Sequence, residues 1–184
     1  MKSVLISIQP KWCELIASGE KTIEVRKTRP KLETPFKVYI YETQGRTETP
    51  WIDEDGHEIF KGRGQVIGEF VCDRIISSFL NNNDGWFVEL GGLSKEEIDK
   101  YQGDKAILYG WHISDLVIYD KPRELGEFYQ IGKNNERYYY DYCSGCIYHE
   151  TPVGEYPCNK CDGNRNYLYR PFQSWGYVES EDAE

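Results

Sequence analysis

Gly19-Glu20-Lys21-Thr22-Ile23-Glu24-Val25-Arg26 is the stretch on which the reading of this chain turns. Gly19 stands where a left-handed residue ends a helix, a conformation glycine takes without steric cost. Upstream, Pro10 suits the first turn of that helix, and Trp12, Leu15 and Ile16 supply its buried stripe. Downstream, Thr22–Lys27 alternates polar and apolar side chains, which predicts a half-buried strand. The alternation sends Ile23 and Val25 to the core and keeps Glu24 and Arg26 together on the other face. Lys21 directly follows the helix end, so the turn fixes its position while its flexible stem reaches for a phosphate, a carbonyl or an amide. Glu24 can orient Arg26 and accept from a base edge, leaving the guanidinium for a phosphate. The same spacing also describes a surface ion pair beside a loop lysine, worth less than about 1 kcal/mol.

Outward from this stretch the pattern is mainly one of strands. Val4–Ile8, Phe36–Tyr41, Val66–Ile76, Trp111–Tyr119 and Ser174–Val178 are apolar or alternating runs of strand length. A polar insertion, Thr43–Gln65, contains Asp55-Gly56, which suits the turn of a small hairpin. Ser94 and Glu97 form a capping box for a helix of about two turns that ends before Gly103. Short strands with few helices predict a mixed α+β fold, a small β-barrel with flanking short helices. No internal repeat is visible, and residues 179–184 read as a frayed acidic tail after a domain spanning 1–178.

A length of 184 residues allows one principal core and an insertion, and 39% apolar with 15% aromatic residues furnishes that core. Lys and Arg number 22 against 31 Asp and Glu, a net charge of -9 that excludes sequence-blind wrapping of duplex nucleic acid. The charge is uneven. Residues 1–37 hold eight basic and four acidic side chains, a balance of +4, and the remainder, with 14 basic and 27 acidic, carries -13. Such asymmetry fits one surface that receives an anion, as well as a solvated basic loop at Lys27, Arg29 and Lys31. No apolar run approaches the roughly 20 residues that span a bilayer, so no membrane segment is expected. Gln9, Pro10 and Lys11 interrupt the first apolar run before a signal peptide forms, and a reducing cytoplasm is the expected location.

Four of the six cysteines occur as Cys143-Ser-Gly-Cys146 and Cys158-Asn-Lys-Cys161, with eleven residues between the two pairs. Two such knuckles can present four thiolates tetrahedrally to one zinc ion, and four thiolates leave no open position, so the site is structural. Structural zinc is worth roughly 10–16 kcal/mol in small modules and can replace the core that this Tyr- and Gly-rich segment lacks. A redox dithiol and an iron–sulfur cluster are the competing readings. His149 stands near enough to substitute as a ligand. Tyr138, Tyr139, Tyr140 and Tyr142 either stack bases or pack beneath the ribbon. Cys13 and Cys72, in apolar surroundings, read as inert core thiols.

The opening stretch also matches G-x-K-x-x-E-x-R, and in this it resembles the signature of the ASCH (activating signal cointegrator homology) family, whose fold is a PUA-like barrel. Leu5-Ile6-Ser7-Ile8-Gln9-Pro10-Lys11-Trp12, Val66-Ile67-Gly68-Glu69-Phe70 and Arg170-Pro171-Phe172-Gln173-Ser174-Trp175 resemble the bacterial and phage branch of that family. The knuckles then look like a zinc ribbon, residues 138–168, inserted before the final strand. The resemblance implies a cleft between helix and barrel lined by Lys21, Glu24 and Arg26, with Lys11, Lys27 and Arg29 guiding an RNA or nucleoside ligand. It also implies a hydrolytic alternative. One ASCH-like group, the acetylcytidine amidohydrolases, carries G-x-K-T-x-T-x-R, and its lysine and second threonine are needed for amide cleavage. Lys21 and Thr22 match here, but Glu24 replaces the second threonine, so Lys21 and Glu24 are the catalytic candidates, as base and orienter of a water. Ribonuclease activity has been proposed within the family as well.

Other templates are missing from the sequence: there is no H-E-x-x-H, P-loop, G-x-S-x-G elbow or dinucleotide fingerprint. Gly62-Arg63-Gly64 is too short to cradle a nucleotide, and His57, His112 and His149 offer no spaced pair for metal or triad chemistry. A third class of function remains beside binding and hydrolysis, a protein-interaction adaptor acting through the zinc ribbon, which the negative charge favours.

Overall fold

β1 (Ser3–Ile8) is buried along its whole length, and the other elements are arranged around it. The computed structural model describes residues 2–44, 51–52, 58–59, 62–78, 85–131, 168 and 170–180. β1 pairs in parallel with β3 (Phe36–Glu42) and antiparallel with β11 (Trp175–Ser180). Beyond β3 lie β6 (Val66–Cys72) and β9 (Ser114–Arg123), and beyond β11 lies β10 (Phe128–Gln130), giving a six-stranded sheet β10-β11-β1-β3-β6-β9. Val4, Ile6 and Ile8 pack on one face with Val38, Ile40, Phe70 and Trp111. Leu5 packs on the other with Tyr39, Tyr41, Phe128 and Val178. A strand covered on both faces must be apolar at every position, which is why Val4–Ile8 reads as a continuous run.

The crossover from β1 to β3 carries α1 (Pro10–Ala17) and β2 (Ile23–Arg26). Pro10 opens α1, the Trp12 and Cys13 amides donate to Gln9 O at 3.0 and 3.1 Å, and Gly19 closes the turn at φ +80°. The buried stripe of α1 is Cys13 and Ile16; Trp12 and Leu15 are only half-buried, because Trp12 turns its ring towards the space beside β2.

β2 does not join the large sheet but pairs with β8 (Tyr109–His112), which pairs in turn with β7 (Ile75–Ser77). Val66–Ile76 and Trp111–Tyr119, each expected as one strand, are therefore each divided: β6 and β9 lie in the large sheet, β7 and β8 in the small one. The chain passes between the sheets from β6 to β7 and from β8 to β9, and Trp111 of β8 packs into the core beneath the large sheet, edge-on to Phe36 at 6.1 Å. Gly68 in β6 has a steric origin: a Cβ there would collide with the Val117 carbonyl of β9. The expected closed barrel is not formed as one ladder. Among the described residues the outer strands β9 and β10 do not pair with each other, and the fold is a mixed α+β arrangement of two larger open sheets and a two-stranded ribbon.

Within the expected insertion, β4 (Trp51–Ile52) and β5 (Glu58–Ile59) form a small antiparallel ribbon; Asp55-Gly56 lies outside the described residues. α2 (Gly85–Gly91) was not anticipated. α3 (Lys95–Gln102) follows it with the Ser94–Glu97 capping box in place. Both helices cover the far face of β2, where Ile23 and Val25 meet Phe87, Ile98 and Leu108. β11 continues through Ser180, with Glu179 opposite Tyr129, two residues into the stretch expected as a tail; residues 181–184 lie outside the described set. No helix among the described residues is long and apolar enough to cross a membrane.

Candidate functional site

Lys21, Glu24 and Arg26 come together in a buried ionic cluster, with residue exposures of only 3%, 6% and 9%. Glu24 is its centre: Oε2 lies 3.4 Å from Lys21 Nζ and Oε1 lies 2.9 Å from Arg26 Nη2. The surface ion pair is thereby replaced by a triad largely withdrawn from water, where each charge depends on its partners for solvation. Lys21 Nζ also donates to Gly91 O at 2.7 Å, the carbonyl at the end of α2. A lysine at the C-terminal end of a helix is favourably placed in the field of its carbonyls. Two of its three N–H donors are accounted for by Glu24 and Gly91 O.

Arg26 is held more fully than the sequence suggested. Nη2 donates to Ser7 O at 2.7 Å and Nη1 to Ser174 Oγ at 3.3 Å, so the guanidinium does not offer a free bidentate fork to a phosphate. Ser7 Oγ in turn donates to Phe172 O at 2.6 Å, and Ser7 N donates to Ser174 O at 2.8 Å. Three separate sequence segments, around Ser7, Arg26 and Ser174, thus meet at one guanidinium. Arg26 is a positioning residue that fixes the floor of the site.

Above this floor lies a cleft of about 730 Å³. Trp12 of α1, Tyr101 of α3 and Phe172 provide aromatic walls, and Lys27 and Lys100 stand at its sides. The Lys21 ammonium is 5.4 Å from the centre of the Trp12 ring, and Lys27 Nζ is 5.0 Å from that of Tyr101. Lys11 pairs across the rim with Glu97 at 3.3 Å while lying 4.6 Å from the Trp12 ring. Burial opposes the charge of Glu97, but the Ser94 backbone N–H and the Lys11 ammonium hold its carboxyl below the usual range. Arg29 lies outside this cleft, in an adjoining groove where its guanidinium is 5.8 Å from the Tyr109 ring. Sequence reasoning missed Tyr101 and Lys100, which reach the cleft from α3. Phe172 stood in the Arg170–Trp175 stretch that carries the resemblance, but without a role in the site.

Such a site can hold a flat ring between aromatic faces and a negative group against Lys21 and Lys27. The remaining lone pairs of Glu24 can accept from an amine or imide on that ring. Cys13 and Cys72 take no part: both are buried free thiols, Cys13 pushed up far above the ordinary thiol range by burial and nearby carboxylates, Cys72 to about 12 by burial and Asp73. His112 Nδ1 lies 2.6 Å from Asp73 Oδ1 on the opposite side of β8, away from the cleft residues. The knuckle cysteines Cys143, Cys146, Cys158 and Cys161, with His149 and Tyr138–Tyr142, lie outside the described residues. Among the described residues no group of three or more His, Cys, Asp or Glu side chains could hold a metal ion.

The fold is similar to that of ASCH from Zymomonas mobilis, with a TM-score of 0.51 and 21% identity, covering 67% of this chain and 73% of that one. It is equally similar, at 0.51, to a tyrosine-to-phenylalanine variant of the same protein, with 20% identity over 68% of this chain and 77% of the other. A serine-to-alanine variant gives 0.51 and 21% identity, over 67% and 74% respectively. No curated protein matches the sequence. The family model of the ASCH domain matches residues 6–156, most of the chain and with it Lys21, Glu24 and Arg26, and the chain belongs to the ASCH domain family.

Proposed function

We propose that this protein binds RNA, or a nucleoside derived from it, in the cleft above Lys21, Glu24 and Arg26, and that a structural zinc held by Cys143, Cys146, Cys158 and Cys161 supports the inserted segment. ASCH domains are in general RNA-associated modules, which agrees with this reading. The observation that carries it is the combination of a buried ionic floor with aromatic walls in one cleft. A buried ion triad is weak evidence for stability, since apolar residues of similar size often do as well. Its position under an open cleft is better explained by a ligand that needs charge and a ring face together. Lys21 supplies the positive charge, Glu24 discriminates the ring edge, Trp12 and Tyr101 stack, and Arg26 keeps Glu24 in place. The zinc rests on the donor set alone: four thiolates in two knuckles fit a closed tetrahedral site.

The test is equilibrium binding of uridine and cytidine 5′-monophosphates and of short single-stranded RNAs to the parent and to Lys21→Met. The methionine keeps the stem volume while Glu24 retains Arg26 as its counter-ion, so the fold is expected to persist, as thermal melting would verify. Loss of a charge-assisted hydrogen bond should weaken binding by about 1.5–3 kcal/mol. Equal binding by parent and variant would remove the cleft from the account. Hydrolysis is a second reading, favoured by the 3.4 Å approach of Lys21 to Glu24 inside the cleft. Release of acetate from N4-acetylcytidine, or cleavage of the RNA during the same titrations, would establish it.

A further inference from the structure

At Lys27 the cleft adjoins a second depression. The same side chain lines a second groove of about 920 Å³, formed by the loop from Lys27 to Thr34 against Ile75 and Tyr109. Lys27, Arg29 and Lys31 are all exposed along it, and Glu33 is the one carboxylate among its lining residues. None of the three cations forms a salt bridge among the described residues. The loop carrying them is nevertheless fixed: Trp175 Nε1 donates to Thr28 Oγ1 at 3.0 Å, Lys31 N donates to Tyr177 Oη at 2.8 Å, and Pro30 is buried. In a chain of net charge -9, three cations that have no carboxylate partner among the described residues and that line one polar groove are an arrangement that favours an extended anion.

From this adjacency we infer that the ligand is a single-stranded oligonucleotide and not a free nucleoside: one base enters the aromatic cleft while the flanking phosphates run along the Lys27–Arg29–Lys31 groove. The inference rests on the proposed cleft function and adds to it the length and direction of the ligand. An acidic peptide or polyphosphate would satisfy the groove but has no flat ring for Trp12 and Tyr101. A duplex keeps its bases stacked and paired, whereas bases in a single strand can be splayed out onto aromatic side chains.

The experiment uses the full chain and fluorescein-labelled oligouridylates of two, four and six nucleotides, with unlabelled uridine 5′-monophosphate as competitor. Affinity is expected to rise about tenfold or more from the monophosphate to the tetranucleotide and then level off. The double variant Arg29→Ala, Lys31→Ala should remove that gain while binding the monophosphate like the parent. Its two side chains are exposed, and the loop anchors use the Lys31 backbone and Thr28, so the fold is not at risk. The slope of log K against log salt should fall by about 1.4 for two lost phosphate contacts on a single strand. Length-independent affinity, or a double variant indistinguishable from the parent on the tetranucleotide, would overturn the groove while leaving the cleft intact, provided the monophosphate still responds to Lys21→Met. If neither the monophosphate nor the oligonucleotides bind, the cleft and the groove fall together.

Discussion

Glu24 is the residue on which the site depends most, because it is the common counter-ion of two buried cations. Read from the sequence, Glu24→Ala should relax ligand choice more than it lowers affinity, since it removes a carboxylate near phosphate. The structure changes that expectation. Without Glu24, Lys21 and Arg26 remain as neighbouring like charges with little access to water, and breaking a buried pair by removing one partner costs about 3–5 kcal/mol. Urea denaturation of Glu24→Ala should show a loss of that size. The triple replacement Lys21→Met, Glu24→Leu, Arg26→Met should recover most of it, since no charge is then left unpaired. A single variant within about 1 kcal/mol of the parent would mean that the cluster is solvated despite its burial. The spacing of Glu24 and Arg26 on one strand face was legible in the sequence, because strand alternation is local. Their burial was not, because the covering atoms come from Ser7, Gly91 and Ser174.

At the level of elements, the longer strands followed from apolar or alternating runs, but the three-residue β10 did not, nor did strand membership. β6 and β7 read as one run because Val66–Ile76 shows no breaker stronger than Asp73 and Arg74, yet the two strands pair in different sheets. The face of the large sheet away from α1 carries a polar cluster that can be tested separately. Lys37 of β3 lies 2.7 Å from Glu69 of β6, whose other oxygen accepts from Tyr119 Oη of β9 at 2.6 Å. Burial opposes the charge of Lys37, but the hydrogen bond to Glu69 outweighs it and raises its pKa above the ordinary 10.5. Burial likewise opposes the charge of Glu69, but Lys37 and Tyr119 hold it below the ordinary 4.5. A depressed carboxyl contributes stability above its unfolded value and loses it as pH falls through its lower folded one. A raised ammonium contributes below its unfolded value and loses it as pH rises through its higher folded one. The pair should therefore stabilise the sheet evenly between about pH 4.5 and 10.5. Because Lys37 is 42% exposed, the contribution should not exceed about 1 kcal/mol. The difference in urea midpoint between the parent and Lys37→Met should be constant over that window and shrink on both sides of it. A difference unchanged at pH 3 would assign the effect to packing of the lysine stem on Tyr39.

For the whole molecule, the stretch that carries the knuckle cysteines is flanked on both sides by residues anchored on the large sheet. Ile131 N donates to Tyr177 O at 2.9 Å, Leu168 N donates to Phe128 O at 2.8 Å, and both side chains are buried. If the stretch between them folds as the separate module proposed above, it should be open to perturbation without opening the sheets. Metal analysis of the purified protein should give one zinc per chain, and Cys143→Ser or Cys158→Ser should lower that content. The variants should keep the parent far-ultraviolet dichroism from the two sheets and bind uridine 5′-monophosphate with unchanged affinity. Stoichiometric zinc in either serine variant would discard the four-cysteine assignment, and collapse of the dichroism would show that the segment is part of the core.

The sequence by itself determined the elements that depend on near neighbours: the helix opened by Pro10 and closed by Gly19, the capped helix after Ser94, the buried run of β1 and the alternation through Arg26. It also carried the family, because the motifs that define it are contiguous. The tertiary structure decided what depends on contacts between distant residues. It divided two apolar runs between two sheets and turned Trp12 from core stripe to cleft wall. It also brought Tyr101 and Phe172 opposite that ring and engaged the Arg26 guanidinium with Ser7 and Ser174. Local pattern sets where a chain can be helix or strand, because those periodicities are written residue by residue. Which faces meet is set by the sum of many weak packing and desolvation terms across the fold, and no single stretch of sequence contains that sum.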